Sequence, residues 1–226
     1  MQRLLEIVPE RFAHASGALW LPAVHTALVA DTHLGYAWAQ RRRGELGPMV
    51  EGGVGDKLDA LVTELQPACL VVIGDLVHAP APGPDERLHI ERIVRALAER
   101  TRVVLVPGNH DRSFITDFPD LPLEVVERWS GGGVTAVHGH QRAESFSHLV
   151  IGHLHPAVSI RDDAGASRKI PVFVSGERVT VLPAFSPFAG GSSLSHCLTE
   201  ELCELLGTIR MFAATGRRVV ALSGRE

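Results

Sequence analysis

The sequence predicts an α/β layered fold built as a single domain over residues 1–226, and three observations carry that expectation. Five short runs rich in Val, Ile and Leu recur between residues 26 and 155, as strands buried on both faces do. Segments with apolar residues at helical spacing lie between them. Hydrophobic residues make up 45% of the chain and charged residues 21%, which is enough apolar surface for one large core.

Taken in order, LLEIVPERFAHASGALWLP reads as short strands and turns flanking that core. TALVAD (26–31) is the first core strand, and DKLDALVTELQ (56–66) a helix. ACLVVIGD (68–75) is the second strand. Pro82 and Pro84 suit a loop leading into a helix start, followed by the helical pattern DERLHIERIVRALAER (85–100). RVVLVPGNHD (102–111), GVTAVHGH (133–140) and SHLVIGHLH (147–155) complete the core strands. KIPVFVSGERVTVLP (169–183) reads as a hairpin around Ser175, Gly176 and Glu177. A Pro/Gly/Ser-rich loop (184–195), a short helix at TEELCELL and a last hairpin (209–222) follow, with no repeat, low-complexity tract or linker.

Several classes are excluded. No apolar run reaches the length of a membrane span, and MQRLLEIVPERF has no signal-peptide core. Cys69, Cys197 and Cys203 lack any CxxC pairing, so neither a disulfide framework nor a zinc ribbon is indicated. A reducing, cytoplasmic setting is the expectation. The net charge of −4 argues against a grip on long stretches of DNA, which usually needs a basic surplus. Any such contact must come from a local patch.

Each core run ends in residues that bind metals. The ends hold Asp31 and His33, Asp75 and His78, Asn109, His110 and Asp111, His138 and His140, and His153 and His155. Ligands in open α/β sheets gather outside the carboxyl ends of the strands, so five strands would deliver these groups to one rim. Residues two apart on an extended chain face the same way, which pairs Asp31 with His33 and His153 with His155. Asn109 and His110 should point apart, one toward a metal and the other toward substrate. Gly74, Gly108, Gly139 and Gly152 fall where the backbone must turn beside an ion. A lone histidine is more often a core residue than a ligand, and His14, His25, His89, His148 and His196 are read that way. Five clusters that each close an apolar run make a functional pattern.

The ordered set DxH, GDxxH, GNHD, HGH and GHxH, spanning roughly residues 25–156, resembles the calcineurin-like metallophosphoesterase superfamily. The resemblance implies a layered β-sandwich flanked by helices. The segment LVADTHLGYAWAQRRRG, preceded by ALWLP and followed late by LPAF, resembles the bacterial PdeM group of small metallophosphoesterases. That group is associated with DNA ligase or helicase genes in DNA-repair clusters. ADTHLG and GDLVH also resemble the double-strand-break-repair nucleases of the superfamily, whose capping and DNA-binding segments this chain is expected to lack.

Carried over, the pattern implies that Asp31, His33, Asp75 and His155 hold one divalent metal ion. Asp75 bridges to a second, held also by Asn109, His138 and His153. His110 would lie over the substrate phosphate, with Asp111 and His78 beside it to orient it, and His140 has no assigned role. Two ions bring about four positive charges, and Asp31, Asp75 and a bridging hydroxide remove about three, leaving a site suited to one phosphodiester. Direct attack by that hydroxide, with no covalent phosphoenzyme, is the expected route. Oxygen and imidazole ligands without thiolate fit manganese, iron, cobalt or zinc, and the resemblance selects manganese.

Protein phosphatases of the superfamily typically read GDxxDRG where this chain reads GDLVHAP, which counts against a phosphoprotein substrate. Arg41, Arg42 and Arg43 form the one dense basic run, either a grip on flanking phosphates or a solvated helix face. Tyr36 and Trp38 could stack on an unpaired base, at about 1–3 kcal/mol each, or pack on the scaffold. The residues alone support a phosphoester substrate. The resemblance implies a single-strand DNA endonuclease of DNA repair, with a small-molecule or nucleotide phosphodiesterase or phosphatase as the alternative. A non-catalytic scaffold is the third reading, disfavoured because His110 is intact.

Overall fold

The computed structural model describes residues 3–45, 53–140, 144–161 and 165–222. Among them, two twisted sheets stack face to face. The first comprises β1 (Leu4–Val8), β2 (Arg11–His14), β3 (Leu19–Leu21), β4 (Thr26–Ala30), β5 (Cys69–Ile73), β6 (Arg102–Val106) and β7 (Glu124–Val125), in that spatial order. The second contains β8 (Trp129–Gly131), β9 (Val134–Val137), β10 (Leu149–Ile151), β11 (Ala157–Arg161), β12 (Ser167–Ser175), β13 (Val179–Val181), β14 (Arg210–Ala214) and β15 (Val219–Leu222). Its order is β15-β14-β12-β13-β10-β9-β8, with β11 paired to the outer half of β12. The layered β-sandwich implied by the motifs is the observed architecture.

Alternation along the strands explains the layering. Leu28, Ala30, Val71, Ile73, Val104 and Val106 face the second sheet and meet Val150, Phe173 and Phe212 there. Their neighbours Ala27, Val29, Leu70, Val72, Val103 and Leu105 face the opposite way. That face is covered by α2 and α3, which follow α1 (Tyr36–Arg42) in the chain: α2 is Gly53–Leu65 and α3 is Pro84–Ala98. Leu58, Leu61, Ile90 and Val94 are the helical side chains that pack there. A strand with both faces covered reads as a continuous apolar run, as these do. Each large side chain so buried contributes about 1.5–3 kcal/mol.

Both long helices extend beyond or stop short of the sequence expectation by a few residues. α2 begins at Gly53, three residues before Asp56, and α3 ends at Ala98. Pro84 occupies the first turn of α3, where its missing N–H is harmless, and the Glu86 carboxylate accepts the Gly83 amide. Among the described residues there are also three short α-helices, α4 (Phe114–Asp117), α5 (Leu194–Cys197) and α6 (Glu200–Leu206), the last capped by the Thr199 side chain. Both expected hairpins form, as β12–β13 and β14–β15. Strand β11 had no counterpart in the sequence reading; its outer half is exposed on a projecting hairpin and carries little apolar signal. No helix among the described residues is long and apolar enough to cross a membrane.

Register places the functional rim. β4, β5 and β6 run parallel, with Ala30 opposite Ile73 and Ile73 opposite Val106. In the second sheet, β9, β10 and β13 are parallel, with Val137, Ile151 and Val181 in line. The loops after these strands therefore leave both sheets at one edge. The segment after β13 crosses between the sheets: the Phe185 amide donates to the Ala30 carbonyl at 2.7 Å and that of Ser186 to Asp31 at 3.2 Å.

Lys57 of α2 anchors this segment. Its ammonium donates to the Phe185 carbonyl at 2.6 Å and lies 4.0 Å from the centre of that ring. Burial pushes the amine from its ordinary 10.5 down to about 8. Between those values the unfolded chain binds more protons than the folded one, so stability must rise with pH across that window. Lys57→Met should remove this contribution. Urea unfolding on either side of the window is expected to show the wild type gaining stability relative to the variant as pH rises; parallel pH profiles would contradict it.

Candidate metal centre

The strands stop at Ala30, Ile73, Val106, Val137 and Ile151, leaving the polar ends of the five runs in loops. Here the extended-chain expectation fails in detail. Asp31, His33, Asp75, His153 and His155 all have positive φ, at 54°, 48°, 46°, 66° and 48°. Left-handed backbone at a non-glycine residue costs roughly 1–3 kcal/mol and persists only where its surroundings enforce it. Backbone bonds do so here: His33 N–H to the Asp75 carbonyl at 2.8 Å, and Asp31 N–H to Gly74 at 3.2 Å. The expected pairs still converge, because the chain folds back at alternate residues instead of running straight.

The Asp31 carboxylate is fully buried and joins the two sheets. Its Oδ2 accepts the His153 amide at 2.8 Å, while Oδ1 lies 3.0 Å from His138 Nε2. His155 Nε2 is 3.4 Å from Oδ2. Burial by itself would raise this carboxyl, but the His138 and His155 imidazoles outweigh it and hold the group well below the usual carboxylate range. Burial likewise opposes protonation of His155, yet Asp31 raises that imidazole above its ordinary value. His33 is pushed down to about 4 by burial and His153 is lowered for the same reason, so both offer neutral nitrogens. Asp75 Oδ2 stands 3.7 Å from His138 Nε2, and its Oδ1 accepts the His110 amide at 3.0 Å.

Three sets of candidate donors result among the described residues, one of them His33, His78 and His110 at the mouth, and the other two lie deeper. The ligand atoms of Asp31, His33 and His155 lie within 4.8 Å of one another, and so do those of Asp75, His138 and His153. The buried Asn109 Oδ1 and His33 Nδ1 have no hydrogen-bond partner among the described residues. Such orphaned groups cost about 1–3 kcal/mol each unless something satisfies them. Buried carboxylates, neutral imidazoles and an unpaired amide oxygen around one point fit a pair of divalent cations.

Glycines make room for this packing. A Cβ on Gly74, whose φ is +74°, would sit 2.0 Å from the His138 ring, and one on Gly108 would sit 2.1 Å from Asp75 Oδ1.

The open side is a mouth of about 360 Å³ floored by Asp75, Asn109 and His153. His110 lines it with 37% of its side chain exposed. Its Nδ1–H donates to the His78 carbonyl at 2.7 Å, which fixes the ring and leaves Nε2 free toward the mouth. His78 thus orients His110 through its backbone, while its own ring stands edge-on to Tyr36 at 4.6 Å. Asp111 is placed differently from the expectation. Its buried carboxylate accepts the amides of Gly108, Leu76 and Val77, pinning the loop after β6 to the loop after β5, while the His110 ring bonds to the His78 carbonyl instead.

The basic run splits. Arg42 is paired with the buried Glu86, Arg41 lies over the Trp38 ring, and Arg43 is exposed at the end of α1. Sequence reasoning missed Glu86 as Arg42's partner, since the two are 44 residues apart. The Pro/Gly/Ser-rich loop at 184–195 lines the mouth through Phe188, Ala189 and Gly190. Phe188 stacks on Tyr36 with ring centres 5.3 Å apart. His140, unassigned before, meets the far side of the His138 ring, Nδ1 to Nδ1 at 3.0 Å. Of the histidines read as core, His14 and His148 are buried, whereas His25 and His196 are exposed and His89 is partly covered.

The model of the family described as calcineurin-like phosphoesterase matches residues 24–183. The chain belongs to that family. A solved nuclease, MPE of Pseudomonas putida, is 28% identical and superimposes with a TM-score of 0.72 over 98% of this chain and 100% of its own. A protein of unknown function from Aquifex aeolicus, AQ665, is 19% identical, with a TM-score of 0.40 over 57% of this chain and 78% of its own. A predicted phosphoesterase of Streptococcus pneumoniae is 16% identical, with a TM-score of 0.32 over 83% of this chain and 81% of its own. No curated protein sequence matches significantly.

As a calcineurin-like phosphoesterase, the chain is a metal-dependent hydrolase of phosphoesters. Asn109→Ala in this phosphoesterase removes an orphaned oxygen without adding bulk. Titration calorimetry with manganese should show cation binding weakened about tenfold or more, with the fold retained by circular dichroism. Unchanged binding would take Asn109 out of the ligand set.

Proposed function

We propose that this phosphoesterase is a binuclear, manganese-dependent phosphodiesterase that cuts single-stranded DNA. The observation that carries the reading is the pair of donor sets beneath one open mouth, with His110 standing over them. The likeness to the P. putida nuclease along nearly the whole of both chains supports a nucleic-acid substrate.

Asp31, His33, Asp75 and His155 would hold one ion, and Asp75, Asn109, His138 and His153 the other. The ions would supply an activated water and neutralise charge on the phosphate in an in-line displacement. The chain's own contribution is positional. His110, anchored at Nδ1 by the His78 carbonyl, presents Nε2 to a phosphate oxygen or to the leaving group. Asp111 keeps the loop of Asn109 and His110 in place through backbone amides. Arg43, exposed and unlike Arg42 not committed to Glu86, is the member of the basic run best suited to a flanking phosphate. The Tyr36–Phe188 stack at the mouth offers an aromatic face to an unpaired base.

The free cysteines fit a reducing cytoplasm. The PdeM-like opening segment supports a place in DNA repair, in association with a ligase or helicase.

The direct test is cleavage of a circular single-stranded DNA with manganese, beside an aryl phosphodiester and an Asp75→Ala control. Linearisation by the wild type alone is the expected result. Aryl ester hydrolysis with an intact circle would move the substrate to nucleotides or other small phosphodiesters. In the same assays His110→Ala should retain cation binding and lose about 10²–10⁴-fold in turnover. Substantial loss of cation in that variant would make His110 a ligand and refute its proposed role.

A further inference from the structure

A second, larger depression opens on the far side of the loop that carries Asn109 and His110. It has a volume of about 690 Å³, within the roughly 300–1,000 Å³ of small-molecule sites. One wall is apolar, made by Phe114, Val125, Val126 and Val137. Arg112 and Arg128 stand exposed at its edge, neither with an ion-pair partner among the described residues. Glu127 and Glu144 face the same space, so the two arginines are offset, and the Asp111 carboxylate is turned into backbone amides. Among the described residues of its lining the charges therefore balance, which does not favour a run of phosphates. A flat, neutral and partly apolar group suits it better.

The cleft borders the metal centre. The His138 ring forms the partition: Nε2 faces Asp31, and Nδ1 faces His140 on the cleft side. The rings of His153, His138 and His140 follow one another at 4.8 and 5.1 Å between centres, leading from the mouth into the cleft. A group seated there would be joined directly to a phosphate lying over the metals.

We propose that this cleft receives the nucleoside on one side of the scissile phosphate, with its base unpaired. The proposal rests on the nuclease reading above and deepens it. The base lies against the Val125–Val126 wall, and the planar guanidinium of Arg112 or Arg128 is free to stack on it or bind its edge. A base still paired within a duplex cannot enter without unstacking, so the cleft itself would select for single strands.

The test uses single-stranded oligonucleotides in which one abasic residue is moved stepwise past a fixed cutting position, with the wild-type protein and manganese. Cleavage should fall about tenfold or more when the missing base adjoins the scissile phosphate on the side that faces the cleft. Val126→Trp, which fills the cleft without touching any proposed ligand, should slow cutting of the intact strand and abolish this sensitivity. Hydrolysis of an aryl phosphodiester, read in parallel, reports the metal centre alone. Equal cleavage whatever the position of the missing base, in a protein that cuts the intact strand, would overturn the cleft proposal and leave the nuclease reading standing. Failure to cut the intact strand while the aryl ester is hydrolysed would remove both.

Discussion

The rest of the arrangement depends on one buried carboxylate. Asp31 follows the central strand β4 of the first sheet, yet the partners of its carboxylate, His138, His153 and His155, belong to loops of the second. A fully buried carboxylate is costly unless it is paired, and here the pairing runs between layers. The edges of the two sheets are thereby held at a spacing that lets Asp75 approach the same imidazoles. The left-handed turns at the strand ends, the glycines beneath them and the Asp111 bonds between loops all keep that spacing.

Much of this was legible in the sequence because parallel strands buried on both faces leave little choice of residue. TALVA and CLVVI are continuous apolar runs because one set of alternate side chains meets the other sheet and the next set meets α2 and α3. The polar residue that ends such a run must then lie at the rim, and the convergence of Asp31, His33, Asp75, Asn109, His138, His153 and His155 follows from register. What could not be read was how the chain bends there. Local spacing suggested extended backbone, but positive φ at Asp31 or His155 arises from bonds to loops far away in sequence, which no window of neighbouring residues contains.

Long-range partners account for the other differences. Arg42 looked equivalent to Arg41 and Arg43, and only the packing of α3 against α1 delivers Glu86 to it. Asp111 sits beside His110 in sequence, yet its carboxylate answers three amides left unpaired by two loop turns, a stronger demand than contact with a neighbouring ring. Isolated histidines outside the runs carried no pattern, and their environments proved mixed, from the buried His148 bonded to Thr180 to the exposed His25.

The origin of the candidate ligands in two sheets has a mechanical meaning. Cations bound across the rim would act as a clasp between the layers, added to the apolar packing and to the bonds of Asp31. Binding energy then becomes cohesion, because anything that binds only the folded state stabilises it by mass action. In this chain the catalyst and the fastener would be the same object.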